Sequence, residues 1–395
     1  MFMLELLIVP TAALTYALVS DKFKRKDDDK KKIQVFFEVS GIAIKREDKL
    51  HYPKFQNQVD DDRSTTYVYT LPVGMPSKII QKVEDVVSEG LNKPVRIHYD
   101  NYKLSIRVFH KDIPNKWGWS KTLVEQGKWL VPIGQSLEEL IYHDFDKTPH
   151  MTLGGLTRMG KTVFLKNVMT SLITAQPEHT HLYIVDLKGG LEFGPYQNLK
   201  QVESIAEKPI QAFQVLDTIL EKMEEKMFYM KERHYTNVVE TNIKERHFII
   251  VDEGAELCPD KSMGKEQQKL LVACQRMLSY IARIGGALGF RLIFCTQYPT
   301  GDTLPRQVKQ NSDAKLGFRL PTQTASQVVI DECGLESIKS IPGRALFKTD
   351  RLTEIQVPYI SNETMWNVLK QYEVEKHEHT NTHQIESSDD DSDLD

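Results

Sequence analysis

The chain has 395 residues, 40% of them hydrophobic and 27% charged, with a formal net charge of −4. That length exceeds one ordinary domain and suggests two with appendages, while the near balance of charge excludes bulk basicity as a way of holding nucleic acid and leaves only local patches. Four cysteines, Cys258, Cys274, Cys295 and Cys333, form no C-x-x-C pair and no zinc-binding spacing with histidine, so they read as reduced core thiols of a cytosolic body.

Phe2 to Val19 is apolar apart from Glu5, and at a helical rise such a run spans roughly 27 Å, just enough to cross a hydrocarbon core. Lys22, Lys24, Arg25, Lys26 and Lys30 to Lys32 follow it. Basic flanks stay on the cytoplasmic side, so residues 2–19 are expected to be a single-pass anchor in the cell membrane, residues 21–32 a basic linker, and the body cytoplasmic. A cleaved signal peptide needs positive charge ahead of its apolar run, and here there is none.

Residues 33–114 read as a small α/β module of two strands (IQVFFEV, TTYVYTLP), a helix (PSKIIQKVEDVVSEGL) and two strands (VRIHYD, YKLSIRVF). Asp60 to Arg63 reads as an exposed loop, and the module as a spacer or assembly unit.

Strand-like pieces then lead to PHMTLGGLTRMGKTVFLKNV, where Gly155, Gly160, Lys161 and Thr162 have the spacing of a phosphate-binding P-loop. The backbone N–H groups from Gly155 through Leu156, Thr157, Arg158 and Met159 to Gly160 can cradle phosphates, with the positive end of the following helix dipole aimed the same way. Lys161 supplies a point charge and Thr162 a hydroxyl for Mg²⁺, so ATP and Mg²⁺ are the expected cofactors. A strand ending at Leu153 and an apolar stripe of Val163, Phe164, Val168, Met169 and Leu172 supply the context such a loop needs.

Downstream, HLYIVDLKGGLEF holds a buried strand, Leu199 to Val202 a short one, and Pro209 to about Asn237 a long helix. HFIIVDEGAEL, a helix from Lys265 to Ile284, and RLIFCTQYP follow. Apolar strands alternating with helices predict a RecA-like P-loop core with a parallel sheet covered on both faces. Phe248 to Val251 has the form of a Walker B strand, whose carboxyl end places Asp252 to hold Mg²⁺ and Glu253 to polarise the attacking water. Gln297, at the end of the next strand, is placed to sense the γ-phosphate.

PHMTLGGLTRMGKT, YIVDLKGGLEF, FIIVDEGAEL and RIGGALGFRLIFCTQYPTGDTLPRQVKQNSDAKLGFRL together resemble the successive motifs of the FtsK/SpoIIIE family of DNA-translocating ATPases, over roughly Val131 to Lys348. The preceding module and apolar segment resemble the shorter members of conjugative elements and plasmids of Gram-positive bacteria, which act as coupling proteins. The resemblance implies a motor domain over 115–360, a homo-oligomeric ring such as a hexamer around DNA, ATP sites at subunit boundaries, and an arginine finger from the neighbour, for which Arg319 and then Arg283 are the candidates. The chain departs from the division translocases at Arg158 and Met159, where Gly-Ser is usual, and at Tyr298 and Lys315, where arginines are usual.

A translocase needs loops that touch phosphates without reading bases. Lys261 and Lys265 after the Walker B strand, and Arg306 and Lys309 after the Gln297 strand, are the candidates. Residues 361–395 are expected to add a helix and a disordered acidic tail, SSDDDSDLD. Membrane-anchored DNA translocation in conjugative transfer is the leading expectation, with a relaxase and secretion-channel proteins as partners. The alternatives are an ATP-binding docking receptor that recruits a relaxase–DNA complex without translocating, and an ATPase that moves protein.

Overall fold

The structure, a computed structural model, describes residues 29–75, 77–297 and 299–374. The apolar segment 2–19, Tyr298 and the acidic terminus lie outside the described residues, among which no helix is long and apolar enough to cross a membrane. The chain forms two compact units: the described part of Met1–Trp117 with Gly134–Ile141 and Glu354–Gln356, and Gly118–Ile133 with Tyr142–Thr353 and the described part of Val357–Asp395.

In the first unit, helix α1 (Asp29–Val39) precedes a short hairpin, β1 (Ile44–Arg46) and β2 (Lys49–His51). A four-stranded antiparallel sheet follows, with β3 (Lys54–Asp60), β4 (Ser64–Thr70), β5 (Val95–Asp100) and β6 (Lys103–Phe109) in the order β3-β4-β6-β5, and α2 (Ser77–Leu91) between β4 and β5. IQVFFEV is thus helical, contrary to the expected strand. Ile33 and Phe37, four residues apart, are buried on one helical face, and this tertiary burial outweighs the β propensity of the run. β3 escapes the alternation rule because it is an edge strand exposed at nearly every position. Asp61 organises the turn to β4, accepting from the Arg63 and Ser64 N–H groups.

A ten-stranded mixed sheet carries the rest. In chain order its strands are β7 (Leu130–Gln135), β8 (Leu140–Asp144), β9 (Met151–Gly154), β10 (Thr180–Val185), β11 (Val202–Ala206), β12 (Arg246–Val251), β13 (Phe290–Thr296), β14 (Ala314–Phe318), β15 (Arg344–Lys348) and β16 (Leu352–Gln356). The spatial order is β11-β10-β12-β13-β9-β14-β15-β16-β7-β8. The pairings from β11 to β14 are all parallel, as expected, but β14–β15 and β16–β7 are antiparallel, so the sheet is mixed and not purely parallel.

Helix α3 (Lys161–Ala175) follows β9 and buries twelve of its fifteen residues, the polar Asn167, Thr170, Ser171 and Thr174 among them, so it is covered on nearly every side. Two 24-residue helices, α4 (Pro209–Glu232) and α5 (Lys265–Leu288), share one core. On α4 the buried Ala212, Leu216, Ile219, Met223 and Met230 recur at helical spacing. α5 stops at Gly289, whose φ of +91° is the left-handed C-terminal cap that glycine adopts freely. α6 (Arg306–Asn311), α7 (Gln323–Ile330) and α8 (Asn362–Leu369) complete the unit. All four cysteines are free thiols, but only Cys274 and Cys295 are buried; Cys333 is exposed, so the reading of four core thiols holds for two.

Candidate active site

β9 lies between β13 and β14 in parallel register, Gly154 opposite Thr296 on one side and Gly317 on the other, so its carboxyl end opens the P-loop at the middle of the sheet. The loop is closely packed. A Cβ on Gly155 would come within 2.6 Å of the Phe318 side chain, and one on Gly160, at φ +119°, would press on the Gly343 backbone. The Leu156 N–H donates to the Arg319 carbonyl and the Gly343 N–H to the Met159 carbonyl, at 3.2 and 2.8 Å. Arg158 is held at φ +63°, where a non-glycine residue is strained. A glycine there would meet no such cost.

Gly160 is the N-cap of α3 and Lys161 its first residue. The Lys161 ammonium is 4% exposed and 3.7 Å from Glu253 Oε2. Burial lowers its pKa from the usual lysine value, with nearby acidic groups opposing. Asp252 and Glu253 follow β12, whose last residue pairs with Val185 and with Phe294. Both side chains are 5% exposed. Glu253 Oε1 accepts the Gln297 N–H at 3.0 Å, which ties this carboxylate to the next strand's end. Gly254 must be glycine, since a Cβ would lie 1.9 Å from the Phe294 ring.

Sequence reading assigned no role to two further residues here, Asp186 and Lys188. Lys188 Nζ lies 3.3 Å from Asp252 Oδ2 and 3.2 Å from Glu253 Oε2. Burial works against its charge, but the two carboxylates prevail and raise its pKa. Asp186 is buried, and burial, aided by Asp252, raises its pKa. The signal was available: D-L-K-G-G closes a buried strand next to Walker B. Lys161 Nζ, Asp252 Oδ1, Asp186 Oδ2 and Thr296 Oγ1 are buried without a hydrogen-bond partner. Orphaned polar atoms gathered at the strand ends need an explanation, and a phosphate chain with a divalent cation fits them. Lys161 and the loop N–H groups could take the phosphates, and Asp252 Oδ1 with the Thr162 hydroxyl the cation.

Of the remaining candidates, Arg319 adjoins the loop, and the others lie elsewhere in the unit. The Arg319 guanidinium donates to the Ile338 carbonyl while its own carbonyl braces Leu156. Arg319 thus buttresses its own chain's loop through its carbonyl, a contact that the sequence does not reveal. Lys309 sits on α6, donates to the Gln327 carbonyl and pairs with Asp331 at 2.9 Å. Lys261 and Lys265 are exposed. Arg306 and Arg283 meet with Arg276 in a cavity of about 470 Å³ between α5 and α6, lined also by Gln275, Ser279 and Tyr280. No carboxylate lines it, and none of the three arginines has an ion-pair partner among the described residues.

The sequence model of the FtsK/SpoIIIE family matches residues 116–248. A DNA translocase FtsK of Corynebacterium glutamicum is 27% identical over 248 residues, which cover 57% of this chain and 26% of that protein. The chain thus spans about a quarter of the length of such curated relatives. Among solved structures, the pCW3 conjugation coupling protein TcpA, in monomer form with ATPγS, is similar over 87% of this chain and 99% of that one, at TM-score 0.63 and 22% identity. The cytoplasmic domain of the type VII secretion ATPase EccC of Thermomonospora curvata matches over 64% of this chain and 32% of that one, at TM-score 0.53 and 19% identity. With the loop, the Asp252–Glu253 pair and the contacts between them in place, the chain carries a P-loop ATPase domain, within which residues 116–248 match the FtsK/SpoIIIE family model.

Proposed function

We propose that this protein is an ATP-driven DNA motor of conjugative or plasmid transfer, working as a homo-oligomeric ring such as a hexamer, and anchored in the cell membrane through residues 2–19 with its body in the cytoplasm. The observation that carries the motor reading is the junction of Lys161, Glu253 and Gln297 at one end of the sheet: the phosphate-binding residue and the water-orienting carboxylate are tied to the loop that enters the basic region. Relatives named as DNA translocases and a conjugation coupling protein of similar fold support the substrate and the setting.

In this reading the loop N–H groups and Lys161 hold the β- and γ-phosphates, Thr162 and Asp252 hold Mg²⁺, and Glu253, oriented by the Gln297 N–H, accepts a proton from the attacking water. Mg²⁺ supplies neutralisation of the charge that develops on the phosphate oxygens. Movement of the Gln297 strand end, coupled through that hydrogen bond, reaches α6 and the arginine cavity, which grips backbone phosphates. The relaxase and channel proteins are partners of the transfer process on this account.

ATP hydrolysis by the full chain, in detergent, is measured with single-stranded, double-stranded and no DNA, together with displacement of a DNA triplex. Stimulation with displacement is expected. Hydrolysis indifferent to DNA, without displacement, would replace the motor with the docking receptor. Resistance of the full chain to carbonate extraction tests the anchor, and its complete release would remove it.

A further inference from the structure

The Walker B carboxylates carry a cation of their own. Asp252 and Glu253 are adjacent in sequence and almost fully buried, yet one ammonium, that of Lys188, reaches an oxygen of each, at 3.3 and 3.2 Å. The other oxygens have separate fates. Glu253 Oε1 is fixed by the Gln297 N–H, whereas Asp252 Oδ1 is buried with no partner. Lys161 stands 3.7 Å from Glu253 Oε2, beyond hydrogen-bond reach.

The chain is built to put Lys188 there. β10 runs parallel beside β12, the Asp252 N–H donates to the Val185 carbonyl, and the Lys188 N–H turns back to Asp186 Oδ1. Gly189 and Gly190, at φ +84° and +69°, then carry the backbone out of the site. The neighbour a Cβ on Gly190 would meet is the exposed, flexible Glu207 side chain, so it is the positive φ that asks for glycine there.

Two buried carboxylates side by side repel unless a positive charge is shared between them. When Lys161 serves phosphates it cannot also serve Glu253, and Lys188 is then the protein's remaining ammonium at the pair. We propose that Lys188 is a positioning residue that clamps Asp252 and Glu253 through one oxygen each, leaving Asp252 Oδ1 as the metal-facing oxygen and Glu253 in its hydrolytic orientation, at the expense of divalent-cation affinity. The proposal rests on the ATP-site reading above.

The sign of its effect separates this role from a merely structural one. A unit positive charge about 5 Å from a divalent ion, screened as in water, opposes its binding by roughly tenfold. Full-length protein without nucleotide is titrated with Mn²⁺, followed by loss of the free-ion electron paramagnetic resonance signal. Lys188→Met is expected to bind Mn²⁺ about tenfold more tightly than wild type while its kcat falls at least tenfold with KM little changed. Lys188→Arg keeps the charge and is expected to restore Mn²⁺ affinity to near the wild-type value. A misfolded variant would bind less metal, so tighter binding cannot arise from damage. Unchanged or weaker Mn²⁺ binding by Lys188→Met, or an intact kcat, overturns the proposal. If wild type itself hydrolyses no ATP, the motor reading falls, while the Mn²⁺ comparison still decides the role of Lys188.

Discussion

The second unit contains two clusters of buried charge, one at each end of the same strands, and they are built on opposite rules. At the amino ends of β12 and β13, Asp146 takes bidentate bonds from Arg246 at 2.8 and 3.1 Å and one from Arg291 at 2.8 Å. Arg246 also donates to the Ile243 and Glu245 carbonyls, and Arg291 to that of Gly286. At the carboxyl ends, Lys161, Lys188, Asp252 and Glu253 stand 3.2 to 3.7 Å apart, with orphaned atoms among them. The first cluster is met by its own chain at every carboxylate oxygen of Asp146 and leaves one guanidinium nitrogen, Arg291 Nε, without a partner, and it holds the sheet together. The second is held short of satisfaction, as a site must be if a ligand is to complete it. Buried charge alone therefore does not mark an active site; long contacts together with several unmet hydrogen-bonding atoms gathered in one place do.

Neutralising a charge at each end separates the two most strongly. Lys161→Ala is expected to abolish ATP turnover, and Glu253→Gln to lower kcat by about 10²- to 10⁴-fold while ATP still binds. Because the site's charges are poorly satisfied, stability in Glu253→Gln stays level or rises by up to about 1 kcal/mol. Steady-state kinetics beside urea denaturation checks both halves, and near-normal hydrolysis would move the catalytic role to another carboxylate, with Glu256 next in line. Asp146→Asn inverts the pattern. It leaves two buried guanidinium groups short of their counter-charge, and the expected loss is about 3–5 kcal/mol of stability, with kcat per folded molecule within about twofold. A kcat defect at undiminished stability would dissolve the distinction.

The structural end also has a pH signature. Burial brings the His150 and His247 pKa values down to about 3 and His143 to about 4. His150 Nδ1 accepts the Leu292 N–H, which requires the neutral ring. Because the folded values lie below the free value near 6.5, the folded chain binds fewer protons than the unfolded one in that window. The stability concerned is fully present above about pH 6.5 and is lost as pH falls towards 4, by about 1 kcal/mol per histidine at pH 5.5. Urea midpoints from pH 7.5 to 4.5 test this, and a flat profile would mean the rings open to water before they protonate. Smaller still is the expected effect at the arginine cavity. Arg276→Ala, Arg283→Ala and Arg306→Ala should each weaken DNA binding several-fold and reduce the salt slope by about one, uniformly across sequences. Sequence-dependent losses would point to base contacts instead.

How far these features could be read from sequence follows from how local their causes are. The P-loop, the acidic pair after β12 and the parallel strands are legible because spacing and continuous apolar runs state them directly, and Gln297 follows β13, the strand whose apolar run the sequence shows. Lys188 was visible as a residue but not as a role, since its partners lie 64 and 65 positions away and only the β10–β12 pairing brings them together. For Arg319 and Lys309 the sequence shows a charge but not the carbonyls of Ile338 and Gln327 or the Asp331 carboxylate that each meets. The antiparallel β15 and the helical IQVFFEV were missed because tertiary pairing and burial set them, not local propensity.

Arg158 offers the finest test of the division between satisfied brace and strained site. Its φ of +63° places an exposed, non-glycine residue in the left-handed region within the loop that must contact phosphate. Holding an L-residue there costs about 1–2 kcal/mol, and glycine at this position would remove that cost while adding roughly 0.5–1 kcal/mol of backbone entropy lost on folding. Arg158→Gly should therefore raise stability by no more than about 1 kcal/mol, the small residue of two opposed effects, and leave kcat within about twofold because the loop's N–H groups keep their directions. Urea denaturation of the nucleotide-free protein, with and without ATPγS, measures it. If stability falls by more than 1 kcal/mol, or ATPγS affinity drops tenfold, the Arg158 side chain itself is holding the loop or the phosphates, and the strain is being offset by a contact that the ligand completes.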